Sequence, residues 1–525
     1  MIKKQTTVLI ILDGWGVAGP NKKSNPITPQ TAPRYFEWLK KYPHTELAAS
    51  GAAVGPFRGQ EGNSEAGHLN IGAGRVVKQD ALYISDAIAD GTFFKNNAFR
   101  QAIHHIKKYR TAAHLVGLLS NHNSAHSCPE HLYTLLDLFK NEGIEKVYLH
   151  LFTDGRDSGQ HDAPRHLEKL KEHFRGSEKV ASIMGRLYGM DRNKNWARTE
   201  RAYRAIALGE GKKVSSPEEA HTQAYNSGES DEFISPTVVT GVKGEPLATF
   251  SDNDALFFFN LRSDRARQLT KAFVQPDFEQ INPESFTRGK LPQNTRFVAL
   301  TDFGPDLPRV LTAFPSRDVP NSLVVTLCPR RQLYLAESEK YAHITYFFNG
   351  GYAQHFCDEQ WVKIQSDRID NFEFDPEMST KEIAAYAVKA IQRQTFEFIA
   401  VNFANADMVG HTGNFAAAEK AIAVLDASLE KIVAAALKTG SQCVITADHG
   451  NVEEMIKAKT GEIDSEHSLN PVPFIVIAPS LAYKQWGTRK PALKLRPGKL
   501  ADVAPTILKM MGIAKPAGMT GRSLV

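Results

Sequence analysis

Cysteine is scarce in this chain: four residues in 525, at positions 128, 328, 357 and 443, with no CxxC pair among them. That excludes a disulfide scaffold and a thiolate zinc site, and it fits a reducing cytosol. No apolar run approaches the roughly 20 residues that a membrane-spanning helix needs. The five-residue apolar run near the N-terminus is too short for a signal-peptide core. Neither sign of charge dominates. Lys and Arg number 63 against 58 Asp and Glu, a formal net charge of +5, which is far from the basic stripe of a nucleic-acid binder. Low-complexity tracts and solenoid-period repeats are absent too. What remains, with 42% hydrophobic and 23% charged residues, is the composition of a globular enzyme long enough for two domains.

Short apolar runs alternate with helical patterns, the mark of an α/β chain. The sequence predicts buried strands over Thr7–Leu12, His114–Leu119, Lys146–Phe152, Lys179–Met184, Ala255–Phe259, Arg296–Thr301, Phe396–Phe403, Gln442–Thr446 and Pro473–Ile477. Helices are expected between them, the longest over Phe415–Leu437, where Ala, Leu and Ile recur at helical spacing. Polar residues of metal-ligand type fall in the first 70 residues and return only after about residue 400. This suggests one domain interrupted by another. The proline-bearing stretch Thr301–Pro320 reads as the return linker and Val76–Gln79 as the outgoing one.

Gly14 to Gly19 fit GxGxxG after a strand, but Pro20, Pro26 and Pro29 follow, so the helix that a dinucleotide site requires cannot open there. More telling are residues at strand ends, where open α/β sheets hold ligands. Asp407 and His411 follow one strand, four apart, a spacing that suits one helical turn or a loop through Gly410. Asp448 and His449 end another strand, Asp13 ends the first, and His467 sits in a loop before Pro471. Taken singly, such an Asp is usually a turn residue and such a His a satisfied core or surface group. Together they offer three carboxylates and three imidazoles, enough for two divalent ions. Ser64, in Gly62-Asn63-Ser64-Glu65, suits a helix start; it is either a cap or a nucleophile whose alkoxide a metal favours. Three further strand ends carry arginines: Arg156 beside Asp157, Arg186 with Arg192, and Arg262 with Arg265. Arginine forks bind phosphate and carboxylate, so three such loops read as a pocket for a small, highly anionic ligand.

These segments resemble the cofactor-independent phosphoglycerate mutases of the alkaline-phosphatase superfamily. The likeness runs nearly end to end: DGWG, GNSEAGHLNIGAGR, FTDGRD, GRLYGMDR, FNLRSDRARQ, ESEKYAHITYFFNGG, DPEMST, NADMVGHTG, TADHGN, HSLNPVP and DVAPTILKMMG. It implies an alkaline-phosphatase-like α/β domain, residues 1–77 with 313–525, interrupted by an inserted α/β domain over 78–312 that binds substrate. It implies two manganese ions, one on Asp407, His411 and His467, the other on Asp13, Ser64, Asp448 and His449. His126, Arg156, Asp157, Arg186, Arg192, Arg262 and Arg265 would hold the substrate, and Lys340 would contact its phosphate. The resembled pattern SDGGVHSH is altered here to Ser120-Asn121-His122-Asn123-Ser124-Ala125-His126-Ser127-Cys128, so the substrate histidine is His126 or its neighbour His122. The stretches Cys328–Leu335 and Gln354–Ile369 also depart from the pattern, and are expected to be altered loops outside the site.

The activity implied is interconversion of 3-phosphoglycerate and 2-phosphoglycerate in glycolysis and gluconeogenesis, through a phosphoserine at Ser64 and without 2,3-bisphosphoglycerate. Asp157 would be the general base, although the residues alone allow it equally to be an arginine's partner. The expected partner is this small-molecule substrate, with no nucleic acid and no membrane, in a cytoplasmic monomer. A metal-dependent phosphatase and a non-catalytic anion- or metal-binding protein are the rival readings. The arginine loops argue against the first and the serine beside the metal-type residues against the second.

Overall fold

The computed structural model describes residues 5–18, 24–57, 59–122, 124–307, 309–366, 371–457, 460–481 and 493–525. Gly19 and Pro20 of the GxGxxG stretch, Asn123 of the altered loop, Pro308 of the proposed linker and Ile369 lie outside the described residues. The chain forms two compact units, Met1–Gln79 with Arg317–Val525, and Asp80–Ser316.

The first unit opens with β1 (Thr7–Leu12) and β2 (His44–Ala48). The second carries β3 (Ala113–Leu119), β4 (Val147–Thr153), β5 (Glu178–Gly185), β6 (Lys212–Val214), β7 (Thr237–Val239), β8 (Ala255–Phe258), β9 (Arg296–Thr301) and β10 (Val310–Phe314). The first then resumes with β11 (Gln332–Glu337), β12 (Glu359–Ile364), β13 (Phe398–Phe403), β14 (Gln442–Thr446), β15 (Val472–Ile477) and β16 (Gly498–Lys499). One sheet has the order β12-β11-β13-β1-β14-β15-β2-β16, the other β10-β9-β8-β3-β4-β5-β7-β6. From β12 to β14, and from β10 to β5, every neighbouring pair is parallel. Central parallel strands are covered on both faces, which is why β1 (TVLIIL) and β3 (AHLVGLL) are buried at every position.

All nine predicted strands are present to within two residues at each end, and the long helix runs Phe415–Thr439. Among the described residues no helix opens after Gly14 until Pro33, as the prolines require. The stretch Thr301–Pro320 is only partly a linker. Thr301 ends β9, and Val310–Phe314 pairs with β9 as an edge strand, Val310 opposite Phe297. Its proline flanks masked a strand, because edge position frees the chain from a second hydrogen-bonding neighbour. β11 escaped prediction because polar Gln332 and Glu337 form its two ends and leave only Leu333–Ala336 as an apolar run. Both are buried, and Gln332 is satisfied by donating to Val324 O at 3.1 Å. The two stretches set aside as altered loops are in fact neighbours. β11 and β12 pair in register, and a disulfide joins Cys328 to Cys357 just ahead of them. The four cysteines are therefore not all free, and parallel pairing brings together two that sequence spacing separates.

A buried polar row crosses the second sheet. His114 Nδ1 lies 2.9 Å from His150 Nε2, and His150 Nδ1 lies 2.8 Å from Ser182 Oγ, all three fully buried. Asp254 Oδ2 stands 3.3 Å from His114 Nε2. Burial, then the neighbouring His114, hold the His150 imidazole well below its usual range. A bulge between Leu149 and His150 sets His150 opposite Ser182.

Candidate active site

In the first unit, four parallel strands deliver polar residues to one edge. Asp13 follows β1, Lys340 lies just beyond β11, Asp407 follows β13, and Asp448 with His449 follows β14. Asp407 lies in a short helix, Asn405–Gly410, whose C-cap is His411, so the four-residue spacing is a helical turn. Ser64 is the first residue of the helix Ser64–Ala73; Asn63 is the cap, its side chain accepting from Ala66 N at 2.9 Å. The backbone packs tightly here. Gly14 has φ +73°, and a Cβ on it would come within 2.6 Å of the Asp407 Cα, so only glycine lets the β1 turn pass Asp407.

All seven residues of the proposed metal set, with Lys340, come together. Ser64 Oγ is 3.2 Å from Asp13 Oδ1 and 3.0 Å from His449 Nε2, and it accepts a hydrogen bond from Lys340 Nζ at 2.8 Å. Lys340 Nζ also donates to Asp13 Oδ1 and Asp407 Oδ2, both at 2.6 Å. Nε2 of His411 and of His467 stand 3.2 and 3.3 Å from Asp407 Oδ1. Each of these imidazoles turns its other nitrogen to a backbone carbonyl, Ser465 O at 2.7 Å for His411 and Gly62 O at 2.8 Å for His467. That outer hydrogen bond fixes the tautomer and aims Nε2 inward, the usual support of a metal-ligating histidine.

The electrostatics follow from three carboxylates buried around one ammonium. Burial pushes the Asp13 and Asp407 carboxyls up, but Lys340 and the surrounding histidines outweigh it and hold both well below the carboxylate range. Burial pushes His449 down, yet Asp448, Asp13 and Asp407 raise it to about 10. The same carboxylates raise the Lys340 ammonium against its burial. Asp448 Oδ2 is fully buried and has no hydrogen-bond partner, with His68 Nδ1 at 3.2 Å and His449 Nε2 at 3.5 Å. A buried carboxylate oxygen left without a donor, among oxygen and imidazole ligands, fits a divalent cation. One ligand atom from each of Asp407, His449 and His467, and likewise from each of Asp13, His68 and Asp448, falls within 4.8 Å of the others.

Sequence reasoning missed the residues behind this cluster. Asn402 Nδ2 donates to Asp13 Oδ2 at 2.8 Å and lies 2.9 Å from His68 Nε2, while Asn451 Nδ2 donates to Asp407 Oδ1 at 2.9 Å. Glu453 ties the loop just after His467 to the turn after β1, accepting from Gly16 N at 2.9 Å, Asn470 Nδ2 at 2.9 Å and Ser468 Oγ. His68 was findable, lying one helical turn after Ser64.

In the second unit the chemistry again gathers beyond the carboxyl ends of parallel strands, β3, β4, β5 and β8. Strand order reverses at the β3–β8 boundary, where such sheets open a crevice. Arg186 is buried, its Nη1 2.6 Å from Asp154 Oδ1 and 3.1 Å from Asp157 Oδ2. Ser124 Oγ donates to Asp157 Oδ2 at 2.7 Å. Arg192 Nη1 pairs with Asp264 Oδ2 at 2.6 Å, and Arg262 Nε lies 3.6 Å from Asp264 Oδ1. Burial, then the charges of Arg192 and Arg186, lower the Arg265 guanidinium. Arg156 is half exposed, as Arg192 and Arg262 are nearly, and lies 3.7 Å from Glu232. His126, not His122, belongs to this pocket. Burial, then Arg186 and Arg262, push His126 down to about 3, whereas His122 lies 3.1 Å from Glu130. Burial raises the Asp157 carboxyl, but Arg186, Ser124 and His126 bring it below its ordinary value.

Known proteins with this arrangement can be named. A family model described as "BPG-independent PGAM N-terminus" matches residues 84–305. The 2,3-bisphosphoglycerate-independent phosphoglycerate mutase of Moorella thermoacetica is 44% identical over 99% of this chain and 98% of its own length. That of Clostridium perfringens is 42% identical over the whole of both chains. A solved phosphoglycerate mutase of Leishmania mexicana, crystallised at low cobalt concentration, is 28% identical with a TM-score of 0.76 over 99% of this chain and 97% of that one. A likeness of this extent leaves one assignment: the chain belongs to the family of 2,3-bisphosphoglycerate-independent phosphoglycerate mutases.

Proposed function

We propose that the chain interconverts 3-phosphoglycerate and 2-phosphoglycerate through a phosphoserine at Ser64, without 2,3-bisphosphoglycerate, as a cytoplasmic monomer in glycolysis and gluconeogenesis. The observation that carries the reading is Ser64 Oγ, held at a helix N-terminus by Lys340, His449 and Asp13 inside a pocket of three carboxylates. Asp407, His411 and His467 would hold one manganese ion and Asp13, Ser64, Asp448 and His449 a second, supplying Lewis-acid charge that favours the serine alkoxide and offsets that of the phosphoryl group.

The chain's own residues do the rest. Lys340 donates to Ser64 Oγ and stabilises negative charge there. First-turn amides of the helix Ser64–Ala73 favour a phosphate on its first residue. Ser64 Oγ gives up its proton and attacks phosphorus, the bond from phosphorus to the substrate oxygen breaks, that oxygen takes up a proton in return, and glycerate remains bound to the arginines. The phosphoryl group then returns to the other hydroxyl, whose proton passes to Asp157 and from there restores the Ser64 hydroxyl as the bond from phosphorus to Ser64 Oγ breaks. Burial raises that carboxyl, but Arg186, Ser124 and His126 hold it below its ordinary value, so it is ionised at neutral pH and able to accept the proton. His126, kept neutral, donates or accepts one hydrogen bond without adding charge.

The test is 2-phosphoglycerate formation from 3-phosphoglycerate without added 2,3-bisphosphoglycerate, with phosphate release followed in parallel. Isomerisation in large excess over release is expected. Phosphate release without 2-phosphoglycerate would make the chain a phosphatase.

A further inference from the structure

The loop after β3, where this chain departs from the resembled pattern, holds a third cluster of ligand-type side chains. Cys128 caps the helix Pro129–Asn141, and Glu130 lies in its first turn. Cys128 Sγ donates to Glu130 Oε2 at 3.2 Å, and His122 Nε2 lies 3.1 Å from Glu130 Oε1. One ligand atom from each of the three falls within 4.8 Å of the others. None of them belongs to the carboxylate cluster or the arginine pocket.

We propose that His122, Cys128 and Glu130 form a site for a zinc-class divalent ion at the root of this loop. With bonds of about 2.3 Å to sulfur and about 2.0–2.2 Å to nitrogen and oxygen, a tetrahedral ion holds its ligand atoms roughly 3.2–3.8 Å apart, which three atoms lying within 4.8 Å of one another reach by small side-chain adjustments. A thiolate, an imidazole and a carboxylate suit zinc and cobalt over magnesium or calcium. Cys128 is buried while the His122 and Glu130 side chains are 64% and 51% exposed, so a fourth, water ligand has access from solvent. Burial and the adjacent Glu130 hold the thiol neutral, so binding exchanges one proton for the metal–sulfur bond. Spacing arguments missed the site because it needs one thiolate, with the other ligands on a loop and in the first turn of the helix.

The segment between His122 and Cys128 carries Ser124 and His126, so an ion joining both ends fixes that segment. This link to turnover rests on the reading of the arginine pocket given above; ion binding itself does not.

The test is a cobalt(II) titration of the full-length protein, read by the near-ultraviolet sulfur-to-cobalt charge-transfer band. The carboxylate cluster has no cysteine and gives no such band, Cys443 sits inside β14 outside the ligand groups found among the described residues, and Cys328 and Cys357 are joined. Expected is a saturable band that zinc abolishes, absent in Cys128→Ser and at least tenfold weaker in affinity in His122→Ala. If Cys128→Ser fails to fold, Glu130→Gln keeps the thiol and should weaken the band's affinity by a similar factor. No band in the unmodified protein with cobalt in excess, or an equal band in Cys128→Ser, overturns the site. Zinc should change the KM for 3-phosphoglycerate at least threefold in the unmodified protein and not in Cys128→Ser; an unchanged KM overturns the coupling to the loop.

Discussion

His449, at the end of β14, and His126, on the loop after β3, are both buried imidazoles, and their surroundings drive them in opposite directions. Three carboxylates lift His449 to about 10, whereas burial and two guanidiniums press His126 to about 3. A formal net charge of +5 over 525 residues hides two pockets of opposite sign. On the function proposed, one holds cations against a serine and the other holds an anion. Overall charge informs about solubility and non-specific partners, not about sites.

The largest effect should come from Ser64→Ala, which keeps the anionic pocket but removes its nucleophile. A loss of at least 10⁴ in kcat, about 5.5 kcal/mol, is expected. Steady-state assay and mass spectrometry of the trapped phosphoserine check it, and a variant keeping a tenth of the rate ends the covalent reading.

Lys340→Met tests the sign of that pocket. It strands Asp13 and Asp407, and denaturation without divalent ions should show a loss of about 3–5 kcal/mol. Added manganese should recover part of the loss.

His126 tests the cationic pocket through acid stability. Its folded value lies below the unfolded one of about 6.5, so as pH falls the unfolded chain takes the proton first and stability declines. The decline should reach about 1.4 kcal/mol per pH unit between 6.5 and the folded value of about 3, and His126→Gln should remove that share. Urea midpoints at pH 6.5 and 5 measure it; an unaltered slope refutes it.

Arg262→Ala, which leaves the metal-type residues untouched, should raise KM for 3-phosphoglycerate about tenfold, roughly 1.4 kcal/mol, and increase the fraction released as phosphate. The smallest effect is Asn63→Ala, removing the cap ahead of Ser64, at about 1 kcal/mol in thermal unfolding.

How much of this was legible follows from where polarity sits. Strands buried on both faces read as unbroken apolar runs, so Asp13 and Asp448 stood out at their ends and the sheet logic linking them was visible. Asn402 did not stand out, because a single polar residue inside a strand looks like a pattern defect until its partner is known. Ser124 on its loop and Asp154 at the end of β4 were not legible as pocket residues because their partners, Asp157 and Arg186, are brought to them by the fold. Cys328 and Cys357 meet because two parallel strands start side by side.

The imidazole row across β3, β4 and β5 bears on how a sheet of nearly interchangeable Val, Leu and Ile strands finds one alignment. Apolar runs fit each other almost equally well at several offsets, and side-chain packing alone discriminates weakly between them. Sliding β4 by a residue would carry His150 to the opposite face and away from both His114 and Ser182, leaving polar atoms dry at about 1–3 kcal/mol each. Even without a slide, removing the bulge would turn His150 to Ala181, which has no side-chain acceptor. Two histidines and a serine thus work as the key in a keyed plug, admitting one seating of the strands whose tips carry Asp157, Arg186 and His126.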